Sequence, residues 1–248
     1  MSEIIVGRHP VAEALKSGKP IEKLILLYGV KGTAIEKIRQ LAKQRGVVVT
    51  EANRQRFREI AEDTTTQGVV AIVQTKKYVE LEEILESSKK KGEPPFLLIL
   101  DEIEDPHNVG ALIRTAEAAG VHGIIIPKHH SASLNQTVAK TSAGASEHLP
   151  AAKVTNLAQT IDMLKKNGIW IIGLSLDAEK DYDQIDYSGP IALVVGNESK
   201  GIRRLIAEKC DFLVRIPMIG KIQSLNASVA GGLVMYEALR ARRSGTRK

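Results

Sequence analysis

Four short apolar runs, separated by segments of helix length, constrain the fold of this 248-residue chain more than any other feature. Nearly every residue in the runs is apolar, which is typical of strands buried on both faces of a parallel sheet. The runs span residues 96–100, 124–126, 170–173 and 191–195, and helices are predicted at 109–119, 157–167 and 201–210. This alternation predicts an α/β domain with a mainly parallel sheet, right-handed crossovers, and ligands bound beyond the carboxyl ends of its strands.

A smaller unit precedes this domain. Strands are predicted at residues 3–6, 24–27, 47–50 and 68–74, and helices at 11–18, 33–45 and 54–61. Together they predict a small α/β domain over residues 1–76, within the size at which domains can fold alone. The stretch SSKKKGEPP, with its charge run, glycine and paired prolines, predicts an exposed linker over residues 77–95. The larger domain is therefore expected to span residues 96–248.

Positive charge is concentrated at the two ends of the chain. The formal net charge is +6, and residues 1–77 hold 14 Lys and Arg against 8 Asp and Glu, so the remainder is neutral. The last nine residues, RARRSGTRK, carry five basic groups and no acidic one. Either region alone is typical of a solvated surface or a disordered tail. Together they indicate a phosphate backbone as a partner.

Several classes of protein are excluded or disfavoured by the residues present. Cys210 is the single cysteine, so a disulfide framework and a Cys-rich zinc site are excluded, and a buried structural role is expected for it. His129 and His130 lie in a polar stretch that predicts a surface loop rather than a metal site. Residues 1–20 show no secretory signal and no membrane span, so a cytoplasmic protein is expected. Gly201 is followed by Ile202, which excludes a Walker A motif.

Three loops at predicted strand ends carry candidate site residues. Polar residues Ser224 and Asn226 lie in the apolar segment 216–232, and buried polar groups that need partners indicate a binding site. Asn226 begins the last helix, where its amide can reach two partners. Arg114 lies in an apolar helix, where a snorkelling side chain or an ion pair with Glu117 is the alternative to a functional role.

The other candidates have structural alternatives as well. Asn108 could cap the helix that contains Arg114, and Glu198 could cap a helix that starts near Gly201. Gly110 predicts close approach to another backbone, and Gly220 predicts the same at the start of the third loop.

Three segments in register carry a family resemblance. NVGALIRTAEAAG, ALVVGNESKGI and IPMIGKIQSLNASVAGG, in this order, resemble the three motifs of the SpoU/TrmH branch of knotted RNA methyltransferases. GRHPVAEAL and TQGVVAIV resemble the amino-terminal RNA-binding domain of bacterial ribosomal-RNA ribose methyltransferases of the RlmB type. The resemblance covers the whole chain.

This resemblance implies a fold and an activity. It implies a trefoil knot in the catalytic domain, a homodimer, and no metal. The implied activity is methyl transfer from S-adenosylmethionine to a ribose 2′-hydroxyl of 23S ribosomal RNA, at a guanosine of the peptidyl-transferase P loop. The alternatives are another site in ribosomal RNA or tRNA, and a non-catalytic RNA-binding protein of ribosome assembly.

The resemblance also assigns roles to individual residues. The implied cofactor-binding residues are Leu174, Gly196, Ile216 and Leu225. The implied catalytic residues are Arg114, Asn108, Glu198, Ser224 and Asn226, with Arg114 on the acceptor side. Phosphate contacts are expected from Arg54, Arg56, Arg58 and the carboxyl-terminal tail, and the subunit interface from Val229, Leu233, Tyr236 and Leu239.

Overall fold

The computed structural model describes residues 4–61, 66–73 and 78–245, and the chain divides into two compact units, Met1–Lys77 and Tyr78–Lys248. Glu3 and Gln74, predicted as strand ends, lie outside the described residues, as do Lys77 at the start of the expected linker and the last three residues of the basic tail. Each unit is described separately below.

The first unit is a four-stranded mixed sheet with three helices. Its elements are β1 (Ile4–Val6), α1 (Arg8–Ser17), β2 (Ile21–Leu27), α2 (Thr33–Gln44), β3 (Val48–Ala52), α3 (Arg54–Ala61) and β4 (Val69–Val73). The strand order is β1-β4-β2-β3, in which β4 is antiparallel to both neighbours and β2 is parallel to β3. Strands β1, β2 and β3 therefore all end at one edge of this sheet.

The second unit is a seven-stranded sheet whose recorded strand pairs are all parallel. Its first elements are α4 (Leu81–Lys90), β5 (Phe96–Asp101), α5 (Pro106–Ala118), β6 (Gly123–Pro127), α6 (Gln136–Thr141), α7 (Ala145–His148) and β7 (Ala151–Val154). They are followed by α8 (Leu157–Lys166), β8 (Trp170–Leu174), β9 (Lys180–Asp181), β10 (Ile191–Gly196), α9 (Arg204–Ala207), β11 (Phe212–Arg215) and α10 (Ala227–Gly245). The strand order is β7-β6-β5-β10-β8-β11-β9, which confirms the predicted α/β class.

The two faces of this sheet bury separate apolar clusters. Side chains alternate along each strand, so Leu98 and Leu193 lie in the cluster under α5 and α10, whereas Leu97 and Ala192 lie in the cluster under α4 and α8. Every residue of β5 and β10 is buried, because these central strands are covered on both faces. The predicted apolar runs thus form the centre of the sheet.

Parts of the second unit differ from the sequence predictions. The expected exposed linker over 77–95 contains helix α4, whose Leu81, Ile84 and Leu85 are buried against the sheet. Its first residues form a capping box between Glu80 and Glu83, which fixes the helix start. The helix predicted at 201–210 is the single turn α9, and the short strands β7, β9 and β11 were not predicted.

Cys210 is a half-buried cysteine with no disulfide partner, since it is the single cysteine of the chain. Burial raises the pKa of Cys210 to about 12, and its thiol donates to the Ile206 carbonyl at 3.3 Å, as expected of a structural cysteine. Within the described ranges, no three or more His, Cys, Asp or Glu side chains are grouped to hold a metal ion. None of the helices described is both long enough and apolar enough to span a membrane.

Candidate active site

An open cleft of about 470 Å³ lies at the carboxyl ends of β8, β10 and β11. This is the edge at which ligands of parallel α/β sheets bind, and the volume is ordinary for a small-molecule site. The lining includes all four predicted cofactor-binding residues and two of the predicted catalytic ones, namely Leu174, Gly196, Ile216, Leu225, Glu198 and Ser224. Three loops that are distant in sequence therefore meet at one site.

The loop after β10 is a tight turn that requires glycine at two positions. Asn197 and Gly201 exchange backbone hydrogen bonds of 3.0 and 2.8 Å. Gly201 has a φ of 68°, a conformation that favours glycine. A Cβ on Gly196 would lie 2.3 Å from the Gly201 carbonyl carbon. Glu198 lies within this turn and lines the cleft.

A buried carboxylate holds this turn against the end of β5. Asp101 is fully buried, and its two oxygens accept from the Arg203 backbone N–H and Nε, each at 2.8 Å. The Asn197 side chain donates to the Glu102 carbonyl at 3.1 Å. A charged pair with these additional bonds fixes the geometry of both loops, and removing one partner would leave a buried charge. No pattern in the sequence predicts these contacts, because Asp101 and Arg203 are 102 positions apart.

Three of the predicted catalytic residues form one hydrogen-bonded chain. Asn226 Nδ2 donates to Asn108 Oδ1 at 2.9 Å, and Asn108 Nδ2 donates to Glu198 Oε1 at 2.5 Å. Asn226 Oδ1 accepts from the backbone N–H and the hydroxyl of Ser228, at the start of α10. Asn226 thus reaches two partners, and the chain ties α5, the β10 turn and α10 together.

The helix that carries Asn108 is placed by two local features. Asp105, rather than Asn108, caps α5, because its Oδ1 accepts from the His107 N–H at 2.9 Å. A Cβ on Gly110 would lie 1.8 Å from Thr141 Oγ1, so only glycine allows α5 to pack this closely against α6. The capping role considered for Asn108 is therefore wrong, and its amide is available for the network. Glu198 likewise does not cap a helix, since α9 begins at Arg204.

The segment between β11 and α10 differs from the buried run that its composition suggested. Ser224 and Asn226 are exposed, and Ile219 is fully exposed. Residues 216–225 form no hydrogen bond with any described residue, either through backbone or side chain. A Cβ on Gly220 would meet no atom within 4 Å, so the predicted close approach there is wrong. The segment instead presents free backbone donors and acceptors beside the cleft.

Arg114 does not join this network. Its side chain is exposed on α5 and forms no ion pair with Glu117, which removes that alternative explanation of its position. Among the described residues, no hydrogen-bond or ion-pair partner of Arg114 is found. Its guanidinium is therefore free to bind an anion.

Two family profiles match nearly the whole chain. Residues 95–236 match the SpoU rRNA Methylase family, and residues 4–79 match the substrate-binding domain of RNA 2′-O ribose methyltransferases. A Bacillus subtilis strain 168 protein, provisionally named TrmH family tRNA/rRNA methyltransferase YacO, is 46% identical over 97% of this chain and 96% of its own length. A Staphylococcus aureus strain MSSA476 protein with the same provisional family name is 44% identical over 96% of both chains.

Solved structures give the same assignment. The SpoU methyltransferase AviRb from Streptomyces viridochromogenes, crystallised with S-adenosylmethionine, has a TM-score of 0.62 at 26% identity, covering 98% of this chain and 91% of its own. An rRNA methyltransferase from Sinorhizobium meliloti, also with S-adenosylmethionine bound, has a TM-score of 0.60 at 30% identity, covering 96% of this chain and 87% of its own. With the second and third motifs lining one cleft and the first joined to them through Asn108, the chain belongs to the SpoU/TrmH family of RNA methyltransferases.

Proposed function

We propose that this protein transfers a methyl group from S-adenosylmethionine to a ribose 2′-hydroxyl of 23S ribosomal RNA in the cytoplasm, at a guanosine of the peptidyl-transferase P loop. The main support for methyl transfer is the hydrogen-bonded chain Asn226–Asn108–Glu198 beside the cleft. It links one residue from each of the three family motifs. The target is inferred from the resemblance of the whole chain, first unit included, to ribosomal-RNA ribose methyltransferases.

The cleft suits this cofactor chemically. Its walls combine apolar side chains, among them Leu174, Ile216 and Leu225, with backbone from the β10 turn and the segment 216–225. Since that segment makes no hydrogen bonds with described residues, its N–H and C=O groups can pair with the adenine edge and the amino-acid end. The bound cofactor supplies an electrophilic sulfonium methyl group that moves to oxygen as its bond to sulfur breaks.

The protein's own residues hold the acceptor ribose in line with that methyl group. The Asn226–Asn108–Glu198 chain uses its amide groups to fix the relative positions of α5, the β10 turn and α10. Ser224 is exposed at the cleft and carries a hydroxyl that can bind the ribose or its phosphate. These groups position the 2′-hydroxyl oxygen in line with the methyl carbon and the sulfur.

Arg114 acts on the acceptor side. A guanidinium stays protonated under ordinary conditions, so it does not serve as a simple general base. It binds the phosphate next to the reacting ribose and stabilises negative charge that develops on the 2′-oxygen. Its exposure and lack of a described partner leave it available for this contact.

Two properties of the assembly complete the proposal. Helix α10 exposes a row of apolar side chains, and Val229, Leu233 and Tyr236 are each more than 40% exposed. Such a row suits a subunit interface, so the active form is a homodimer.

We also infer that the segment leading into α10 is threaded through an earlier loop as a trefoil knot, as the family resemblance implies.

Mapping of 2′-O-methyl groups in total RNA from cells that lack the protein tests the proposal. The expected result is loss of one methylated guanosine in the P loop of 23S ribosomal RNA, restored by the wild-type chain. Arg114→Ala should not restore it, because turnover falls at least about 100-fold without the charge, while cofactor affinity is retained. Glu117→Ala, which changes an exposed residue one turn along α5, serves as the matched control.

The other outcomes separate the alternatives. A mark lost elsewhere in ribosomal RNA or in tRNA would retain the reaction and overturn the target. If no mark is lost, the non-catalytic RNA-binding role is favoured. Restoration of the mark by Arg114→Ala would remove Arg114 from the mechanism.

A further inference from the structure

The first unit carries an exposed aromatic side chain that its fold does not use. Tyr28 directly follows β2 and is 77% exposed, which is more than Trp170 at 53% or Tyr236 at 51%. Its backbone N–H donates to the Ala52 carbonyl at 2.8 Å, so the position is fixed although the ring lies in solvent. A ring exposed on a fixed backbone presents a flat apolar face to solvent at a defined position.

The surroundings of Tyr28 are set by the sheet topology. Strands β1, β2 and β3 end at this edge and β4 begins there, as shown by backbone bonds from Gly7 to Val69 and from Leu27 to Gly68. Gly68 packs against Val30, because a Cβ on Gly68 would lie 2.9 Å from a Val30 methyl group. The connections that follow the three parallel strands therefore share one edge with Tyr28.

These connections contribute cations. Arg8 follows β1, and its Nε donates to the Gln67 carbonyl at 3.1 Å. The same guanidinium lies 3.9 Å from the place where a Cβ on Gly32 would be, beside the exposed Lys31. Arg54 follows β3 and is exposed at the start of α3. We call Tyr28, Arg8, Lys31 and Arg54 the aromatic edge.

Few described acidic groups oppose these cations. Glu51 lies near the end of β3, but its carboxylate is bound by Arg39 at 2.5 Å. Glu36 lies in the first turn of α2. Residues 1–77 also hold the whole net charge of the chain, +6. The edge therefore combines a flat aromatic surface with positive charge, which fits a polyanion whose units carry flat rings.

We propose that the aromatic edge binds an unpaired segment of the substrate RNA, with one base stacked on Tyr28 and flanking phosphates bound by Arg8, Lys31 and Arg54. The inference rests on the proposed function for the identity of the RNA, but the stacking itself does not depend on methyl transfer. Stacking requires a base that is not already sandwiched in a duplex, so the edge selects single-stranded RNA over a paired helix.

The test measures RNA affinity of the full chain and its variants by fluorescence anisotropy. The probes are a mixed-sequence single-stranded RNA of about ten nucleotides and the duplex of the same sequence. Tyr28→Ala should weaken single-strand binding about tenfold or more and change duplex binding much less. Tyr28→Phe and Tyr28→Trp should retain single-strand binding, because both keep an aromatic face.

Charge variants separate phosphate contacts from stacking. Lys31→Ala should reduce the slope of log affinity against log salt by about 0.7, whereas Tyr28→Ala should leave the slope unchanged. Lys43→Ala, an exposed lysine at the opposite end of α2, is the control and should change neither quantity. Thermal unfolding of each variant checks that the unit remains folded.

The results that overturn the proposal are distinct. Equal single-strand affinity for Tyr28→Ala and the wild type would exclude stacking and favour a protein as partner of this edge. Equal losses in Tyr28→Phe and Tyr28→Ala would show that the hydroxyl, not the ring, makes the contact. Because these experiments measure RNA affinity and not methyl transfer, they test base stacking on Tyr28 even if the proposed methylation target is wrong.

Discussion

At the scale of single residues, Asn108 is the junction of the site. Its carbonyl oxygen accepts from Asn226 and its amide nitrogen donates to Glu198, two residues that lie 118 and 90 positions away. Only a side chain with both a donor and an acceptor at one end can bridge an amide and a carboxylate in this way. Asn108 therefore determines how the three motifs fit together.

Replacing Asn108 by Asp tests this junction. Asn108→Asp keeps the acceptor for Asn226 but places a second carboxylate against Glu198, and two carboxylates at this distance repel unless they share a proton. We expect the variant to lose about 1 kcal/mol of unfolding free energy near neutral pH. The loss should shrink as the pH is lowered from about 8 to about 5.5, because the pair then takes up a proton. Chemical denaturation at both pH values measures it.

Asn108→Ala is the control for this prediction. It removes both hydrogen bonds without adding charge, so its loss of stability should be nearly independent of pH over the same range. If Asn108→Asp and Asn108→Ala show the same pH dependence, the carboxylate of Glu198 does not face residue 108 in solution.

The sequence allowed the site residues to be named but not their contacts. Leu174, Gly196, Ile216 and Leu225 were assigned by motif, and all line the cleft. The bond between Asp101 and Arg203 joins residues 102 positions apart, and no spacing in the chain relates them. Partners of that kind follow from which strands are neighbours, and strand pairing across long separations is not encoded locally.

At the scale of elements, the strands that are buried on both faces could be predicted from the sequence, whereas the short strands could not. Strands β5 and β10 were predicted to within one residue, because their continuous apolar sequences have no other stable environment. Strands β7, β9 and β11 have between two and four residues, too few for a pattern to appear. They form because the neighbouring strand supplies a template of backbone hydrogen bonds.

Helix α4 shows that composition alone can predict the wrong structure for a segment. The composition of SSKKKGEPP indicated a linker, but Leu81, Ile84, Leu85 and Ser88 recur at helical spacing and are all buried. Charged residues on the other face are compatible with a surface helix, so the periodicity should have outweighed the composition. The helical period of the buried side chains is therefore a stronger indicator here than the linker-like composition.

A buried histidine directly before β6 makes the second unit sensitive to pH. His122 is 5% exposed, and its Nδ1 accepts from the Phe96 N–H at 3.1 Å. Burial lowers the pKa of His122, and Lys91 and Arg242 lower it further, which together outweigh the raising effect of Glu93 at 3.0 Å. The ring is therefore neutral in the folded protein over a pH range in which it is protonated in the unfolded chain.

This difference predicts the direction of the pH effect. Below about pH 6.5 the unfolded chain binds a proton that the folded chain does not, so stability is lost as the pH falls through this range. His122→Asn keeps an acceptor for Phe96 but cannot titrate, and it should lose less unfolding free energy than the wild type between about pH 7.5 and pH 5.5. Urea denaturation at both pH values measures the difference. An identical pH dependence in the two proteins would show that His122 does not control it.

At the scale of the whole molecule, the boundary between the apolar clusters of the two units coincides with the boundary between the positively charged and the neutral part of the sequence. Among the described residues, the apolar clusters of the first unit extend to Ile72, and those of the second begin at Tyr78. The net charge is +6 over residues 1–77 and zero over the rest. One unit therefore holds the cleft and its network, whereas the other holds the net positive charge of the chain.

This division predicts the behaviour of the chain without residues 1–77. The shortened protein retains both of its apolar clusters, so it should fold and bind S-adenosylmethionine within about twofold of the full chain, since the cleft residues are all present. Its RNA affinity should fall, and the slope of log affinity against log salt should decrease by roughly 2 for the three arginines of α3 and by about 1.4 more for Arg8 and Lys31, at about 0.7 for each phosphate contact. Calorimetry measures the first quantity, and RNA titrations at several salt concentrations measure the second.

The full chain with Arg54, Arg56 and Arg58 changed to Gln is the matched comparison, because it removes the charge and keeps the unit. All three side chains are exposed, so the substitutions should leave the fold intact. If this variant reproduces the smaller slope, phosphate binding by α3 accounts for the salt dependence, and any affinity lost only on deletion belongs to contacts elsewhere in the unit. An unchanged slope in both proteins would mean that the charge of the first unit is not used for RNA, because released counterions are what the slope counts.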